Sequence, residues 1–273
     1  MTLDSPADTS NQNKLPGRDS REKKWQRLIG WLFSPVHIIL FVAILCVFHV
    51  PLVVASRIFG QRAFDHVLQL MNIALIFNMR LAGTRVDYLD SAAIPATGPV
   101  IYVANHQSMY DIPFLIWFLR ARMPRFIAKV ELQKFLPSIS FSLRNGNYLL
   151  IDRNEPKGAL ELIRNYAERV RNEQEAVCIF PEGTRARDGA MKYFKPAGLA
   201  TLIEKIPDAT IVPVCIDGSW KLVRHKLLPI PFGVTVHFKI LKPFKVNSED
   251  PEAVVELIEA QIKETLNEMR GSS

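Results

Sequence analysis

Residues 100–111 read Val100-Ile101-Tyr102-Val103-Ala104-Asn105-His106-Gln107-Ser108-Met109-Tyr110-Asp111, and the fold prediction is built outward from them. The first five residues are apolar and of types that favour strands, which predicts a buried β-strand. The strand ends at a polar cluster that begins with Asn105 and His106. Because open α/β sheets bind ligands beyond the carboxyl ends of their strands, the cluster predicts a functional site.

Four residues separate His106 from Asp111. If a turn or a helix begins after the strand, this spacing brings the carboxylate back towards the imidazole ring. A carboxylate on one ring nitrogen fixes the tautomer and leaves the other nitrogen free to act as a base. An isolated pair of this kind is more often a histidine at a strand end and an aspartate that caps the next helix, so the rest of the chain has to decide.

From Arg85 onwards, strand-like and helix-like segments alternate. This order predicts an α/β fold with a mostly parallel central sheet and helices on both faces. Asn154 is expected to cap the helix that covers 156–172. The predicted strands are 85–89, 100–104, 125–128, 148–151, 176–180, 210–216 and 234–240, and the predicted helices begin at Asp111 and near Leu136 or cover 156–172, 196–205 and 251–269.

An uncharged segment, residues 28–56, precedes this region. As one helix it would be about 44 Å long, which exceeds the hydrocarbon core of about 30 Å. We expect interruptions at Pro35 and Pro51. Trp25 and Trp31 are placed as interfacial anchors. The preceding tail is long for an export signal and no small-residue cleavage site follows, so the pattern indicates a membrane segment and not a cleaved signal.

Residues 64–82 mix apolar and polar side chains, which predicts an amphipathic helix in the membrane interface or against the domain. Basic residues flank both ends of the apolar segment, so charge does not set its orientation. A hairpin bent near Pro51, or one dipping into a single leaflet, would keep both ends and the active site on the cytoplasmic face. We favour this hairpin over a single crossing. The predicted organisation is a disordered basic tail (1–27), a membrane-associated helical segment (28–83) and an α/β domain (84–273).

The composition narrows the function classes. A net charge of +7 suits an anionic membrane surface but lacks the dense charge of a nucleic-acid binder. The three widely spaced cysteines are typical of reduced thiols in an intracellular protein, and no metal-binding pattern is present. Five basic residues form a stretch that is equally a solvated face or a surface for head groups, donor phosphates or a carrier protein: Arg120, Arg122, Arg125, Lys129 and Lys134.

Residues 180–189 follow a predicted strand and contain two glycines, a hydroxyl and two arginines. Gly183 lets the backbone approach a ligand closely. Thr184 and the planar guanidinium of Arg185 suit a phosphate, and Lys195 adds charge nearby. Arg153 lies just after the end of another predicted strand, 148–151. The strand at 210–216 contains a proline, which indicates only a buried strand near an edge or a bulge.

Four blocks in this order resemble the glycerolipid acyltransferase family, of the PlsC type, whose type member acylates 1-acylglycerol-3-phosphate. The first is the His-x4-Asp block at 105–111, followed by 146–153, by Phe-Pro-Glu-Gly-Thr-Arg at 180–185 and by the proline-containing strand at 211–216. The resemblance covers about residues 80–240, and the N-terminal membrane segment is also similar to that family.

The resemblance implies a membrane-bound enzyme of phospholipid biosynthesis that acylates lysophosphatidic acid to phosphatidic acid, at the inner membrane if the source is bacterial. His106 would take the proton of the acceptor hydroxyl, which attacks an acyl thioester of coenzyme A or acyl carrier protein. Asp111 would orient His106. No cofactor and no metal are expected. The implied substrate-binding residues, with Glu182 shaping the loop, are Asn105, Arg153, Glu182, Gly183, Thr184, Arg185 and Lys195.

Several alternatives stay open or are excluded. The acceptor could be another lysolipid, such as lyso-ornithine lipid or a lysophospholipid. A protein of a different class, a non-catalytic lipid binder on the same fold, would not need a base at His106. Ser108 as a nucleophile is disfavoured because the chain has no Gly-x-Ser-x-Gly elbow. A nucleotide-binding enzyme is excluded because the chain has neither a Walker A loop nor a Gly-x-Gly-x-x-Gly turn.

Overall fold

Strand β2 (Val100–Ala104) lies inside the sheet, and all five of its residues are buried. A computed structural model describes residues 22–89, 91–134, 136–226, 228–246 and 250–271, and within these ranges the sheet has eight strands. The others are β1 (Arg85–Tyr88), β3 (Pro124–Lys129), β4 (Leu149–Ile151), β5 (Ala176–Ile179), β6 (Thr210–Asp217), β7 (Thr235–Ile240) and β8 (Phe244–Lys245).

The strands are ordered β1-β7-β6-β2-β5-β3-β4, and β8 pairs with the start of β6. Every pairing among β6, β2, β5, β3 and β4 is parallel, so their carboxyl ends meet at one edge. Strand β7 is antiparallel to β6 and parallel to β1. The predicted α/β fold with a mostly parallel sheet is therefore confirmed.

Helices cover both faces of this sheet, which explains why β2 is an unbroken apolar run. The helices are α1 (Lys24–Val54), α2 (Gln61–Leu81), α3 (Asp111–Phe118), α4 (Pro137–Asn145), α5 (Pro156–Asn172), α6 (Pro196–Lys205) and α7 (Pro251–Gly271). Ile101 and Val103 pack in one core with α5, α6 and α7, while Val100 and Tyr102 face a second core with α3 and the end of α2.

Most predicted bounds lie within two residues of the observed ones, and two details differ. Glu155, not Asn154, is the N-cap residue of α5, because the Asn154 amide donates to Asp152 Oδ1 at 2.8 Å and belongs to the preceding turn. Strand β8 was not predicted, since a two-residue strand has no detectable periodicity. Helix α1 begins at Lys24, inside the predicted tail, and residues 1–21 of that tail lie outside the described residues.

The N-terminal helices form an antiparallel hairpin. Helix α1 continues through a π-helical turn (Ala55–Phe59) to Gly60, where φ is +79° and the chain reverses into α2. The pairing is antiparallel because the Asn78 side chain donates to the His37 carbonyl at 2.9 Å, while Leu52 packs beside Phe64. The two helices thus form a hairpin, and it bends at Gly60 and not near Pro51 as predicted.

Pro35 and Pro51 both lie within α1. A proline removes one backbone donor from a helix, but it does not end a helix whose neighbouring turns are held by packing. Leu45 and Leu52 are buried against α2, together with Phe141 of α4. The positive φ at Gly60 is a backbone conformation that glycine adopts without strain, and this explains why the reversal occurs there.

One side of α1 is bound to the domain along much of its length. Near its start, Gln26 Nε2 donates to the Phe232 carbonyl at 3.1 Å. About two turns further on, the Ile230 amide donates to Ser34 Oγ at 2.7 Å. Towards the middle, the Ser138 hydroxyl of α4 donates to the Leu45 carbonyl. These polar contacts fix α1 lengthwise on the domain.

The opposite side of α1 is apolar and exposed. Among the described residues, one helix, Lys24–Phe59, is long and apolar enough to cross a membrane by length and composition. Helix α2 adds a smaller apolar exposed set. The large apolar side chains exposed on α1 and its π-helical turn include Leu28, Trp31, Leu32, Val36, Ile39, Val47, Val50, Ile58 and Phe59.

Candidate active site

His106 follows β2 at the edge where the carboxyl ends of the parallel strands meet. Its Nδ1 lies 2.7 Å from Asp111 Oδ2. The same oxygen accepts the backbone N–H groups of Gln107 at 2.7 Å and Ser108 at 2.9 Å. A carboxylate oxygen that receives two amide protons is an acceptor, so Nδ1 carries a proton towards it and Nε2 has the free lone pair.

Asp111 is fully buried and is the first residue of α3. It does not cap this helix, the alternative considered for an isolated pair, because Tyr110 is the N-cap residue and the carboxylate binds amides of the loop before the helix. Those amides close the loop on the carboxylate. Asp111 is therefore held by the same loop that carries His106.

The imidazole ring of His106 lies against Phe180, with ring centroids 4.1 Å apart and planes 20° apart. The side chain is 17 % exposed. No residue in the described part of the chain hydrogen-bonds Nε2. The ring is therefore held on one face and on Nδ1, while Nε2 remains able to accept a proton from a bound molecule.

Glu182 ties the loop after β5 to His106. Its Oε1 accepts the His106 amide at 2.7 Å, and its Oε2 accepts the Lys192 amide at 2.9 Å. The Ala186 amide in turn donates to the His106 carbonyl at 2.7 Å. Burial raises the pKa of Glu182 to about 7, although both backbone donors act to lower it. The buried carboxyl group thus supports the loop, and its position disfavours the predicted contact with substrate.

A group of cations lies beside the pair, where β4 and β5 end. Arg153 Nη1 donates to the Gly183 carbonyl. Gly183 has φ of +69°, and a Cβ there would lie 3.4–3.6 Å from Cδ, Cε and Nζ of Lys195. Burial lowers the pKa of Arg185, with a further contribution from Arg187, while Asp111 acts in the opposite direction.

These cations are close to one another as well as to the His106–Asp111 pair. Burial lowers the pKa of Arg153, Glu131 opposes this effect, and the charge of Arg185 adds to it. In the described ranges, neither guanidinium is ion-paired with a carboxylate. Arg185 is half-buried, and Arg153 and Lys195 are exposed. Cations that lack a salt bridge to a carboxylate in these ranges are suited to bind an anion such as a phosphate. Thr184 is exposed at the same loop.

Asn105 differs from the prediction that it contacts substrate. Its Nδ2 donates to the Ile216 carbonyl and its Oδ1 accepts the Ile216 amide, both at 2.8 Å. The side chain is buried and uses both of its polar groups on the neighbouring strand β6. Its geometry indicates a structural role in joining the ends of β2 and β6.

The basic stretch at 120–134 is not one surface. Arg125 is buried and binds both carboxylate oxygens of Asp65 in α2 at 2.7 Å, with Glu175 at 3.3 Å. Arg122 donates to the carbonyls of Gly98 and Gln174 at 2.6 Å. These two arginines hold elements of the fold together, so the stretch as a whole is neither the solvated face nor the binding surface that was considered.

Ser108 is fully buried and does not contact the His106 ring. Its Oγ accepts the Tyr110 amide at 3.1 Å and lies 3.4 Å from Asp111 Oδ1. A serine nucleophile needs its base within hydrogen-bond reach, so this geometry disfavours Ser108. Within the described ranges, no group of three or more His, Cys, Asp or Glu side chains could hold a metal ion.

The sequence analysis did not identify four further residues that surround the His106–Asp111 pair: Gln107, Asp217, Ser219 and Arg270. Ser219 Oγ donates to Asp111 Oδ1 at 2.5 Å, and Gln107 Nε2 donates to Asp217 Oδ1 at 3.1 Å. The available signal was that Asp217 ends β6 and Ser219 comes just after it, and that β6 neighbours β2.

The chain is similar to several known acyltransferases. Residues 85–217 match the profile of the family described as Acyltransferase. A 1-acyl-sn-glycerol-3-phosphate acyltransferase of Cocos nucifera is 32% identical over 167 residues, which are 59% of this chain and 51% of the relative. An enzyme of the same name from Saccharomyces cerevisiae is 30% identical over 215 residues, or 76% of this chain and 65% of the relative.

The chain spans about half the length of several curated relatives that it matches. Among solved structures, the 1-acyl-sn-glycerophosphate (LPA) acyltransferase PlsC from Thermotoga maritima superposes with a TM-score of 0.69 at 21% identity. That match covers 89% of this chain and 98% of the other. At this level of identity the likeness establishes a shared fold.

Proposed function

Since this chain belongs to the acyltransferase family, we propose that it transfers a fatty acyl group from a thioester to the free hydroxyl of lysophosphatidic acid, which gives phosphatidic acid. The donor is acyl-coenzyme A or acyl carrier protein. The observation that carries the proposal is the His106–Asp111 pair, with Nδ1 and Oδ2 2.7 Å apart, beside an unpaired cation cluster at the same sheet edge. A non-catalytic lipid binder has no use for this pair.

In the proposed reaction, Nε2 of His106 takes the proton of the acceptor hydroxyl as its oxygen attacks the thioester carbonyl carbon. The tetrahedral intermediate then breaks its carbon–sulfur bond, and the departing thiolate receives the proton from Nε2. Asp111 holds the ring and stabilises the imidazolium that forms between these steps. Positioned proton transfer of this kind contributes about 10²–10⁴ in rate, and no covalent acyl-enzyme is required.

The acceptor phosphate is proposed to bind the cation cluster formed by Arg153, Arg185 and Lys195. Arg185 lies near enough to Asp111 to interact with it electrostatically, so a phosphate held there keeps the rest of the acceptor near His106. Gly183 lets the backbone turn tightly beside Lys195. Thr184 adds an exposed hydroxyl donor at the same loop.

The α1–α2 hairpin is proposed to embed its exposed apolar side in one leaflet, with residues 84–273 forming the acyltransferase domain beside it. The domain holds α1 from Gln26 to Leu45, a length of about 29 Å. That is almost the full thickness of a hydrocarbon core of about 30 Å. A crossing α1 would therefore pull the domain into the bilayer, whereas an α1 that lies along the surface would not.

The proposed function is tested by an acyl-transfer assay of the purified protein in vesicles. The acceptor panel contains lysophosphatidic acid, lysophosphatidylethanolamine, lyso-ornithine lipid and monoacylglycerol, each with acyl-coenzyme A and with acyl carrier protein. The proposal expects the highest kcat/KM for lysophosphatidic acid. Preference for another lysolipid would mean that this lipid, and not lysophosphatidic acid, is the acceptor. Binding without transfer to any acceptor would identify a lipid-binding protein.

A further inference from the structure

The carboxylate of Asp111 has two oxygens with different partners. Oδ2 receives His106 and the two loop amides. Oδ1 receives the Ser219 hydroxyl at 2.5 Å, while the Ser108 hydroxyl is more distant at 3.4 Å. Ser219 is therefore the principal partner of the oxygen that faces away from His106.

Local backbone geometry places Ser219 there. Gly218 has φ of +89°, and a Cβ at this position would lie 2.3 Å from the Thr235 carbonyl oxygen, so only glycine fits. This turn ends β6 and directs Ser219 under the loop of His106. Ser219 is fully buried, so its hydroxyl reaches Asp111 but no substrate.

A buried ion pair lies next to the same turn. Arg270 of α7 binds Asp217 at 2.6 and 3.1 Å and also donates to the Gly189 carbonyl at 2.7 Å. Asp217 accepts Gln107 Nε2, which lies next to His106 in sequence. Burial alone would raise the pKa of Asp217, but the hydrogen bonds and charge of Arg270 lower it. The Asp217 carboxylate therefore stays ionised and fixed in place.

We propose that Ser219 is a positioning residue of the acyl transfer, whose hydroxyl fixes Asp111 so that the other carboxylate oxygen remains on His106 Nδ1. This inference rests on the proposed function, because acyl transfer is the reaction that the pair performs. The Asp217–Arg270 ion pair fixes the end of β6 and thereby the turn that contains Ser219. Ser219 acts through Asp111 and touches neither substrate nor reacting atoms.

Ser219→Ala leaves Oδ1 with only the contact of 3.4 Å to Ser108. Outer partners that orient a functional group typically contribute about 10- to 100-fold, and we expect a loss of this size in kcat. The KM values for both substrates should change less than about twofold, because a buried hydroxyl contributes nothing to binding. Because a thiol is a weaker donor, the kcat of Ser219→Cys should lie between those of the wild type and Ser219→Ala.

The matched control is Thr201→Val, which also removes a buried hydroxyl. Thr201 Oγ1 donates to the Ala197 carbonyl within α6, away from the pair. Its kcat should match the wild type. If Ser219→Ala and Ser219→Cys both lose stability without a change in kcat per folded molecule, the hydroxyl has a structural role only and the inference is wrong.

The route through Asp111 is tested by combining Ser219→Ala with Asp111→Asn. If Ser219 acts only through Asp111, adding Ser219→Ala to Asp111→Asn lowers kcat no further, since residues that act as a unit are not additive. If Ser219→Ala lowers kcat by the same factor in the wild type and in Asp111→Asn, the inference is wrong.

A second readout needs no acyl substrate. Diethylpyrocarbonate acylates an unprotonated imidazole nitrogen, and mass spectrometry reports its rate at His106, with His237 as an internal reference. Ser219→Ala should slow modification of His106 alone, and the effect should vanish in Asp111→Asn. An unchanged rate at His106 would refute the role of Ser219. If the wild type transferred no acyl group at all, the proposed function would have failed, while this readout would still decide the role of Ser219.

Discussion

Replacing Arg185 by glutamine tests how the acceptor is recognised. The side chain is half-buried beside Arg153, and neither arginine forms a salt bridge with a carboxylate in the described ranges, so an acceptor phosphate would supply the missing negative charge. A hydrogen bond to a charged group contributes about 1.5–3 kcal/mol. This corresponds to a loss of about 10- to 150-fold in kcat/KM for lysophosphatidic acid. Because Arg153 and Lys195 remain, we expect the lower part of that range.

The assay compares lysophosphatidic acid with monoacylglycerol, which has the same acyl chain and a free hydroxyl but no phosphate. Arg185→Gln should lower kcat/KM for the first acceptor, mainly through KM, and leave the second within about twofold. The matched control is Arg171→Gln on α5, where the arginine forms an exposed ion pair with Asp208 at 3.0 Å. It should leave both acceptors unchanged.

Two results would refute this reasoning. An equal loss with both acceptors would mean that Arg185 supports the catalytic pair or the fold and does not bind the phosphate. An unchanged KM for lysophosphatidic acid in a folded Arg185→Gln variant would mean that the phosphate binds elsewhere.

Three further predictions concern the pair, the loop and the hairpin. Asp111→Asn should lower kcat by about 10²–10⁴ at unchanged KM, in steady-state acyl transfer; a loss confined to KM would contradict the orienting role. Because the folded pKa of Glu182 is raised from 4.5 to about 7, the folded state holds this proton more tightly, and stability is lost as pH rises through that window, by about 3 kcal/mol. Urea unfolding at pH 4.5 and 8 should show a smaller decrease in Glu182→Gln than in the wild type; equal decreases would exclude Glu182 as the cause. For the hairpin, Lys23→Cys and Glu252→Cys, each made in a Cys46→Ser background, should react equally with an impermeant maleimide in sealed vesicles; protection of one alone would indicate a crossing.

Local patterns predicted the elements whose neighbours are close in sequence. Helix α5 was placed at its observed bounds, since its apolar residues recur on one face. Strand β2 was placed because both sheet faces are covered and its apolar run is unbroken. The approach of His106 to Asp111 was also predictable, because only a short loop separates them.

Long-range contacts explain what the sequence did not predict. Ser219 reaches Asp111 from 108 positions away, and a serine after a glycine carries no pattern that points to a distant carboxylate. Arg125 was counted as a surface charge because its partner Asp65 lies 60 positions earlier in another helix. The bend at Gly60 was missed because a proline was given more weight than the packing that keeps α1 helical.

The most direct test of the central claim, that Nε2 of His106 is the general base, is the rate of acyl transfer to lysophosphatidic acid by His106→Ala. The variant should fold and bind vesicles like the wild type, because the ring is partly exposed and no hydrogen bond joins it to the hairpin within the described residues. Its kcat should fall by about 10²–10⁴. Transfer at a near-normal rate by the folded variant would contradict the account and remove His106 from the mechanism.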